Sequence, residues 1–553
     1  MNKITKNKIT KNKITLGLAQ INTMVGNIKH NSNLLAKHCQ NLQTDLILFP
    51  EMAISGYPCH DLWQKSYFVE KCQQQIQQIS TFLPQNSLAL LGCPFWQNNK
   101  LYNAVALANN QQILQIIAKK SLPNTGVFCE KRYFQPATTL SYFSHQNFDF
   151  ALLICEDFWD KKNWLLLQEQ AFDAVLVLNS SPYSASKPHI RKKLAKQLAT
   201  MLQKPVIYLN QVGGQDGLVF DGDSFAIDKQ GNLVLQMANF SEDLAKISLD
   251  KTGKIEILHQ QNLPYTSNNL AQQYTASVLG LGDYLHKNSF QKVIIGMSGG
   301  IDSAIVASIA VDALGPYSVN LYALPTQFNS QQSYFDAKLC AENLKINLQI
   351  LDIEPIFQQF LTSLQSQNLS ALAIENLQAR IRGNVLMAIA NSSGSLLLST
   401  GNKSELACGY ATLYGDMCGG FNPIADFYKT TIYQLAEWRN QNLCTIGKNS
   451  NLNIIPANIL QKEPSAELRP NQKDSDSLPP YFILDQILFA LIEEQKSVTQ
   501  VANLGFELDL VQKIATMLHR NEFKRQQTTV GAKTSDMCFN LDWLYPISNS
   551  FIE

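Results

Sequence analysis

The sequence predicts an α/β protein of at least two domains, the second built on a doubly wound parallel sheet. Three observations lead there. The chain has 553 residues, too many for one hydrophobic core. Short apolar runs that read as buried strands alternate with amphipathic helical stretches over most of its length. After residue 290 the alternation settles into strand–helix–strand order, the pattern of parallel sheets with ligand sites at their strand ends.

Composition narrows the class. The chain is 45% apolar and 16% charged, with a net charge of +1. A near-neutral chain argues against a dominant nucleic-acid surface, so no nucleic-acid partner is expected. No apolar run approaches the length of a membrane span, and the start holds no signal-peptide apolar segment. No membrane partner is therefore expected. The 11 cysteines are scattered without C-x-x-C spacing, which points to free thiols in a reducing cytoplasm and away from a zinc site.

Residues 1–12 are read as a basic low-complexity extension made of near-copies of Lys-Asn-Lys-Ile-Thr. A first strand follows, Ile14 to Asn22, and a first domain over residues 13–258. Its expected strands are Asp45–Phe49, Leu88–Gly92, Asn103–Ala108, Phe150–Cys155, Ala174–Asn179, Val206–Asn210 and Ser224–Ile227. Residues 259–271 read as a linker, most plainly the polar, Pro-containing stretch Leu263–Asn269. The second domain, residues 272–553, opens with a helix over Gln272–His286. Strands are expected at Val293, Val319–Ala323, Asn347–Ile350 and Leu396–Thr400, and late helices near Phe482–Glu494 and Leu508–Asn521.

The stretch Val293 to Ser303 is the most informative. An apolar strand runs into Ser298-Gly299-Gly300-Ile301-Asp302-Ser303, and a long apolar helix follows over Ala304–Leu314. Paired glycines let backbone N–H groups approach an anion, and the helix adds its positive end. The Lys of a Walker A loop is missing. Asp302 stands in the loop instead, where a carboxylate can hold Mg²⁺ against phosphate oxygens. This strand–loop–helix unit resembles the pyrophosphate loop of the ATP pyrophosphatases, which split ATP between its α and β phosphates and adenylylate an acid or carbonyl oxygen.

In the first half, Glu51 follows the apolar run ending Phe49-Pro50, Lys119 precedes Leu122-Pro123-Asn124, and Cys155 ends Leu152-Leu153-Ile154. A thiol with a carboxylate and an amine nearby has the parts of an activated nucleophile. Together they resemble the Glu-Lys-Cys triad of the nitrilase superfamily, an α-β-β-α sandwich. Leu209-Asn210-Gln211-Val212-Gly213-Gly214 is similar to the glutaminase domains of glutamine-dependent NAD synthetases. By that resemblance Glu51 is the base, Lys119 the stabiliser and Cys155 the nucleophile toward glutamine, with Thr125, Ser181 and Lys187 contacting the substrate. Lys120 is an adjacent alternative; the spacing to Leu122-Pro123-Asn124 selects Lys119. Two positions depart from the family pattern: Thr125 stands where Tyr is usual and Cys129 where Asp is usual.

In the second half, Asn376 and Arg380 lie in Glu375-Asn376-Leu377-Gln378-Ala379-Arg380, with Leu377, Ile381, Val385 and Ala388 read as the buried stripe of the helix. An amide beside a forked cation suits a phosphate or carboxylate. Thr400-Gly401-Asn402-Lys403-Ser404-Glu405, Gly409 to Asp416, Asp426 to Thr430 and Pro464 to Pro470 follow. This series resembles NAD synthetases from about residue 270 onward. The resemblance implies that Gly296, Ser298, Gly299, Gly300, Asp302, Ser303, Thr400, Lys429 and Ser465 surround ATP as co-substrate. It implies Asp302 and Glu405 as Mg²⁺ ligands, and Asn376, Arg380, Glu405, Asp416 and Lys524 as contacts to deamido-NAD⁺. Thr528-Thr529-Val530-Gly531 replaces the PPG that often follows.

The implied reaction is ATP-dependent amidation of deamido-NAD⁺ with ammonia from glutamine, in a cytoplasmic homo-oligomer. Three rival readings are an amidotransferase for another acid, a tRNA-modifying ATP pyrophosphatase and a non-catalytic binding protein. The Glu375–Arg380 and Thr400–Glu405 motifs weigh against the first, the neutral charge and absent C-x-x-C against the second, and the surviving reactive residues against the third.

Overall fold

The computed structural model describes residues 12–551 except Ala466 and Asn471. Apart from its last residue, the extension expected over 1–12 lies outside them. The chain forms two compact units, residues up to Gln215 with Phe220–Tyr265, and Asp216–Val219 with Thr266 onward. Among the described residues no helix is long and apolar enough to cross a membrane, and all eleven cysteines are free.

The first unit holds a seven-stranded and a six-stranded sheet. The larger runs Ile255–Gln260, Asp243–Asp250, Lys13–Gln20, Leu46–Leu48, Leu88–Gln97, Lys100–Asn109, Gln112–Ala118. The smaller runs Leu233–Gln236, Phe225–Ile227, Val206–Asn210, Ala174–Asn179, Phe148–Ile154, Ser141–His145. Strand alternation explains how they pack, because successive side chains point to opposite faces. Leu152, Ile154, Leu176, Leu178, Ile207 and Leu209 join Leu16, Leu18, Leu46, Leu48, Leu90 and Val105 in one core cluster. The intervening Ala151, Leu153, Val175, Val177 and Tyr208 pack with Phe158, Trp164, Ala195 and Leu198 from the helical layer. Ala174–Asn179 is buried along its whole length, as a central parallel strand covered on both faces must be.

The second unit carries a four-stranded parallel sheet in the order Leu348–Ile350, Val319–Ala323, Val293–Gly296, Leu396–Leu397. The chain adds strands on one side of Val293–Gly296 and then returns to the other. The carboxyl end of that strand is therefore the switch point where doubly wound sheets open a crevice. Beneath it, the buried Asp312 carboxylate accepts from Tyr274 Oη at 2.6 Å, Arg439 Nε at 2.7 Å and Arg439 Nη2 at 3.0 Å. This joins the helices Asn269–Lys287, Ile301–Leu314 and Lys429–Gln441. Asp312→Ala strands the Arg439 charge in the core. We expect it to destabilise this unit by about 3–5 kcal/mol, read as a lower denaturation midpoint in urea.

Several elements differ from the sequence reading. The strand expected over Leu396–Thr400 ends at Leu397, because Leu398 bridges to Phe421 and the Ser399 N–H donates to the Phe421 carbonyl. The long helix starts at Ala371, capped by Ser370, ahead of Glu375. Its buried positions are Gln378, Ala379, Ile381, Gly383, Leu386 and Ala390, while Ala388 is exposed. Gly383 is turned inward because Gly415 crosses it: a Cβ there would lie 2.8 Å from the Gly415 carbonyl oxygen.

Candidate functional site

In the first unit, Pro50 and Glu51 pass over Gly92 so closely that a Cβ there would lie 2.3 Å from the Pro50 carbonyl oxygen. That crossing sets Glu51 inside the protein, fully buried. Its Oε1 accepts from Lys119 Nζ at 2.8 Å and Asn103 Nδ2 at 2.7 Å, and its Oε2 accepts from the Ser180 N–H at 2.9 Å. Lys119 is also fully buried and donates to Glu130 at 3.0 Å. Burial alone would lower the lysine pKa, but the carboxylates of Glu130 and Glu51 outweigh it and hold the ammonium well above its usual value. Lys120 is only partly buried, and its backbone N–H goes to Asp157 at 3.1 Å.

Cys155 sits at the turn between the strand Phe148–Ile154 and the short helix Glu156–Trp159, with φ 47° and ψ −99°. A non-glycine residue pays strain for that backbone, and the turn sets its thiol among charged groups. Burial and the negative charge of Glu51 push the thiol well above its ordinary pKa, against the pull of Lys119. Asp157 fixes the neighbouring loop by accepting from the N–H groups of Lys120, Ser121 and Ile154.

Of the other residues singled out in this unit, Ser181 is buried and its N–H donates to Asn210 Oδ1 at 2.9 Å. Lys187 opens the helix Lys187–Leu202, with its ammonium 5.6 Å from the Phe128 ring centre. Thr125 is exposed, its carbonyl accepting from the Phe128 N–H. Glu130 is an addition that the sequence reading missed. It accepts from Tyr57 Oη at 2.9 Å as well as from Lys119, and burial pushes its carboxyl up to about 7. Its signal is the acidic end of Gly126-Val127-Phe128-Cys129-Glu130, close after the lysine. Cys129 itself is partly exposed, its Sγ 3.8 Å from His60 Nδ1.

In the second unit a cavity of about 460 Å³ opens at the switch point, the size of a nucleotide-scale ligand site. Gly296, Ser298, Gly300, Asp302, Ser303, Thr400, Glu405, Lys429 and Ser465 line it, as do Asn376, Asp416 and Lys524. Gly299 has φ +80°, and a Cβ there would lie 2.1 Å from the Ser333 carbonyl oxygen, so only glycine fits. Ser303 Oγ accepts from the Ser298 N–H, and Ser298 Oγ from the Gly300 N–H. These are donors that an anion can claim.

Lys429 Nζ lies between two carboxylates, 2.5 Å from Asp302 Oδ2 and 3.1 Å from Glu405 Oε1. Burial, reinforced by Asp302 and opposed by Lys429, pushes the Glu405 carboxyl up to about 8. Burial would lower the Lys429 pKa, but Asp302 and Glu405 hold it above the lysine range. Two carboxylates that already share one cation form a fitting donor set for Mg²⁺ when phosphate oxygens and water complete the sphere. Among the described residues no group of three His, Cys, Asp or Glu side chains forms a self-sufficient metal site.

Asn376 Oδ1 accepts from Thr412 Oγ1 at 2.8 Å, and Asp416 Oδ1 from the Thr412 N–H at 2.7 Å. Lys524 Nζ donates to the carbonyls of Gly409 and Ala411. Ser465 Oγ donates to the Gln472 carbonyl. Arg380 is not in the lining; it is exposed and its Nε donates to the Leu413 carbonyl at 3.2 Å. Arg382 lines the cavity instead, donating to the Leu324 carbonyl and Asn329 Oδ1. Burial lowers its pKa to about 10. The second Arg of Ala379-Arg380-Ile381-Arg382 is its only sequence trace.

Comparison with known proteins agrees with this division. The carbon-nitrogen hydrolase family matches residues 15–255, and the NAD synthase family residues 273–528. The glutamine-dependent NAD(+) synthetase of Synechocystis is 42% identical over 97% of this chain and 99% of its own length. That of Acinetobacter baylyi is 39% identical over 97% and 98%. The solved glutamine-dependent NAD+ synthetase of Acinetobacter baumannii, a complex with ADP, superposes with a TM-score of 0.77 at 36% identity, covering 97% of this chain and 99% of that one. The chain belongs to the glutamine-dependent NAD(+) synthetase family.

Proposed function

We infer that this protein converts deamido-NAD⁺ to NAD⁺ with ATP, taking its nitrogen from glutamine. What supports the reading is the presence, in one chain of this family, of two complete constellations: the buried Glu51–Lys119–Cys155 cluster and the Asp302–Lys429–Glu405 cluster beside a pyrophosphate loop.

In the glutaminase unit, Glu51 takes the Cys155 proton as the sulfur attacks the glutamine carboxamide carbon. Lys119 stabilises the oxyanion that forms. Glu51 returns the proton to the departing nitrogen, so ammonia leaves and a glutamyl thioester remains for water to cleave. Ser181, Lys187 and Thr125 are the proposed glutamine contacts. In the synthetase unit, the nicotinate carboxylate attacks the α-phosphorus of ATP, pyrophosphate leaves, and ammonia then displaces AMP from the acyl-adenylate. The loop N–H groups of Ser298 and Gly300 and the ammonium of Lys429 face the charge that builds on the departing phosphates. Gly296, Gly299, Ser303, Thr400 and Ser465 shape the ATP side. Asn376, Asp416 and Lys524 face the dinucleotide side, and Arg380 is the proposed contact outside the cavity lining. Asp302 and Glu405 would hold Mg²⁺, which would supply neutralisation of the phosphate charge.

The free thiols fit a reducing cytoplasm. A homo-oligomer belongs to the proposal, as the family resemblance implies. The test is NAD⁺ formation by the purified chain with ATP, Mg²⁺ and deamido-NAD⁺, given glutamine or ammonium. Product with both donors is expected; product with neither overturns the reading.

A further inference from the structure

We propose that Asn402 is the positioning residue that holds Asp302 and Glu405 in register for a divalent cation; the inference rests on the proposed Mg²⁺ site at those two carboxylates. Asn402 is fully buried and lies on the loop after Leu396–Leu397, while Asp302 lies in the first turn after the neighbouring strand Val293–Gly296. It spans the crevice between the two. Its Nδ2 donates to Asp302 Oδ1 at 3.0 Å. Its Oδ1 accepts from the Glu405 N–H at 3.0 Å, and its own N–H donates to Glu405 Oε2 at 3.3 Å. Lys429 takes the remaining carboxylate oxygens, Asp302 Oδ2 and Glu405 Oε1. The four residues close a ring in which each carboxylate is held at both oxygens.

The loop that carries Asn402 is fixed from behind. The Lys403 N–H donates to the Phe427 carbonyl, and Asn422 Nδ2 to the Gly401 carbonyl at 2.8 Å. The buried Lys403 ammonium meets Asp426 at 3.0 Å and Glu493 at 2.5 Å. Chemistry then selects asparagine. Ser, Thr, Asp and Asn all serve as helix caps. Of these, only Asn offers a cap acceptor together with an N–H donor for a second carboxylate. Asp would set a third negative charge in the ring, and Ser has a single oxygen for two tasks. Groups that orient metal ligands in this way typically control metal affinity by 10- to 100-fold.

Asn402→Ser separates the two roles, since it keeps a cap oxygen and loses the amide donor. Full-length protein is titrated with Mn²⁺ in the presence of α,β-methylene ATP, and free Mn²⁺ is counted by electron paramagnetic resonance. Thermal unfolding is followed in parallel. We expect an unfolding midpoint within a few degrees of the parent and Mn²⁺ binding weakened about tenfold. Ammonium-driven synthesis should shift to correspondingly higher Mg²⁺ and recover at saturation. Parent-like Mn²⁺ affinity in the folded variant overturns the inference, even where the parent makes NAD⁺. Should the serine variant not fold, Asn402→Thr, which fills more of the buried space, takes its place; if neither folds, Asn402 serves the fold and the inference falls. Weakened Mn²⁺ binding in the variant of a parent that makes no NAD⁺ would uphold the inference and sink the proposed reaction. A parent that binds no Mn²⁺ overturns it.

Discussion

Cys155→Ala is expected to abolish NAD⁺ formation from glutamine while ammonium-driven formation stays within about twofold of the parent. The loss should reach at least about 10⁴-fold, because the substitution removes the proposed nucleophile, the sulfur that would carry the glutamyl group. The site loses one sulfur from a fully enclosed turn. Glu51 and Lys119 keep each other, and Glu51 keeps Asn103 and the Ser180 N–H. No buried charge is orphaned, and alanine removes bulk without adding any. Alanine still bears the strain of φ 47° that Cys155 already bears. Glutamate release measured beside NAD⁺ release makes the result decisive. Glutamine hydrolysis surviving in the variant would show that another residue is the nucleophile. Loss of ammonium-driven synthesis as well would show that Cys155 does more than release ammonia.

The parts of these sites that lie on apolar strands and fixed motifs were the legible ones. Val293 to Ser303 announces itself because a buried parallel strand must be apolar, and a loop approaching an anion must be glycine-rich. The parallel sheet follows from the same alternation; its strand order does not. Edge strands were not legible. Gln112–Ala118 and Ile255–Gln260 bury few side chains although both carry apolar residues, so their short, polar-interrupted patterns do not stand out as strands. Asp243–Asp250 is not an edge strand, and its alternation of Ala245, Ile247 and Leu249 with Lys246 and Ser248 is a strand signal that the sequence reading passed over.

Side-chain partners were legible only where a motif names them. Glu130 is invisible to periodicity because its role arises from side-chain contacts, with Lys119 a short loop upstream and with Tyr57 brought to it from elsewhere in the chain. The helix Ala371–Ser393 misleads for a different reason. Its inward face packs against a loop and a cavity floor, so it carries Gln378 and Gly383 in place of a continuous apolar stripe. Gln378 is spent on the Leu468 carbonyl and Thr326. A rule built on apolar spacing therefore rotates this helix, and it obscures that Arg382 reaches the cavity while Arg380 stays outside.

Asp302→Asn is expected to depress NAD⁺ formation from both nitrogen donors by about 10²–10³-fold, the size of effect seen when one preorganised electrostatic contact is removed from a reacting centre. Glutamine hydrolysis at Cys155 provides the internal control and is expected to persist. The substitution is nearly isosteric and its amide oxygen can still accept from Lys429, while its amide nitrogen faces Asn402 Nδ2 and gives up that bond, so the ring loses a charge and one hydrogen bond. That charge matters twice. Asp302 and Glu405 together balance Lys429, and they are the proposed anionic ligands for Mg²⁺. With one gone, Lys429 pairs with Glu405 alone, leaving the cation only a weakened claim on the site. Added Mg²⁺ should then restore only part of the rate, unlike the recovery expected for Asn402→Ser, where both carboxylates remain. Full recovery at high Mg²⁺ would mean that Asp302 tunes affinity alone. An unchanged rate would remove the loop carboxylate from the reaction and leave phosphate neutralisation to Lys429 and the backbone N–H groups.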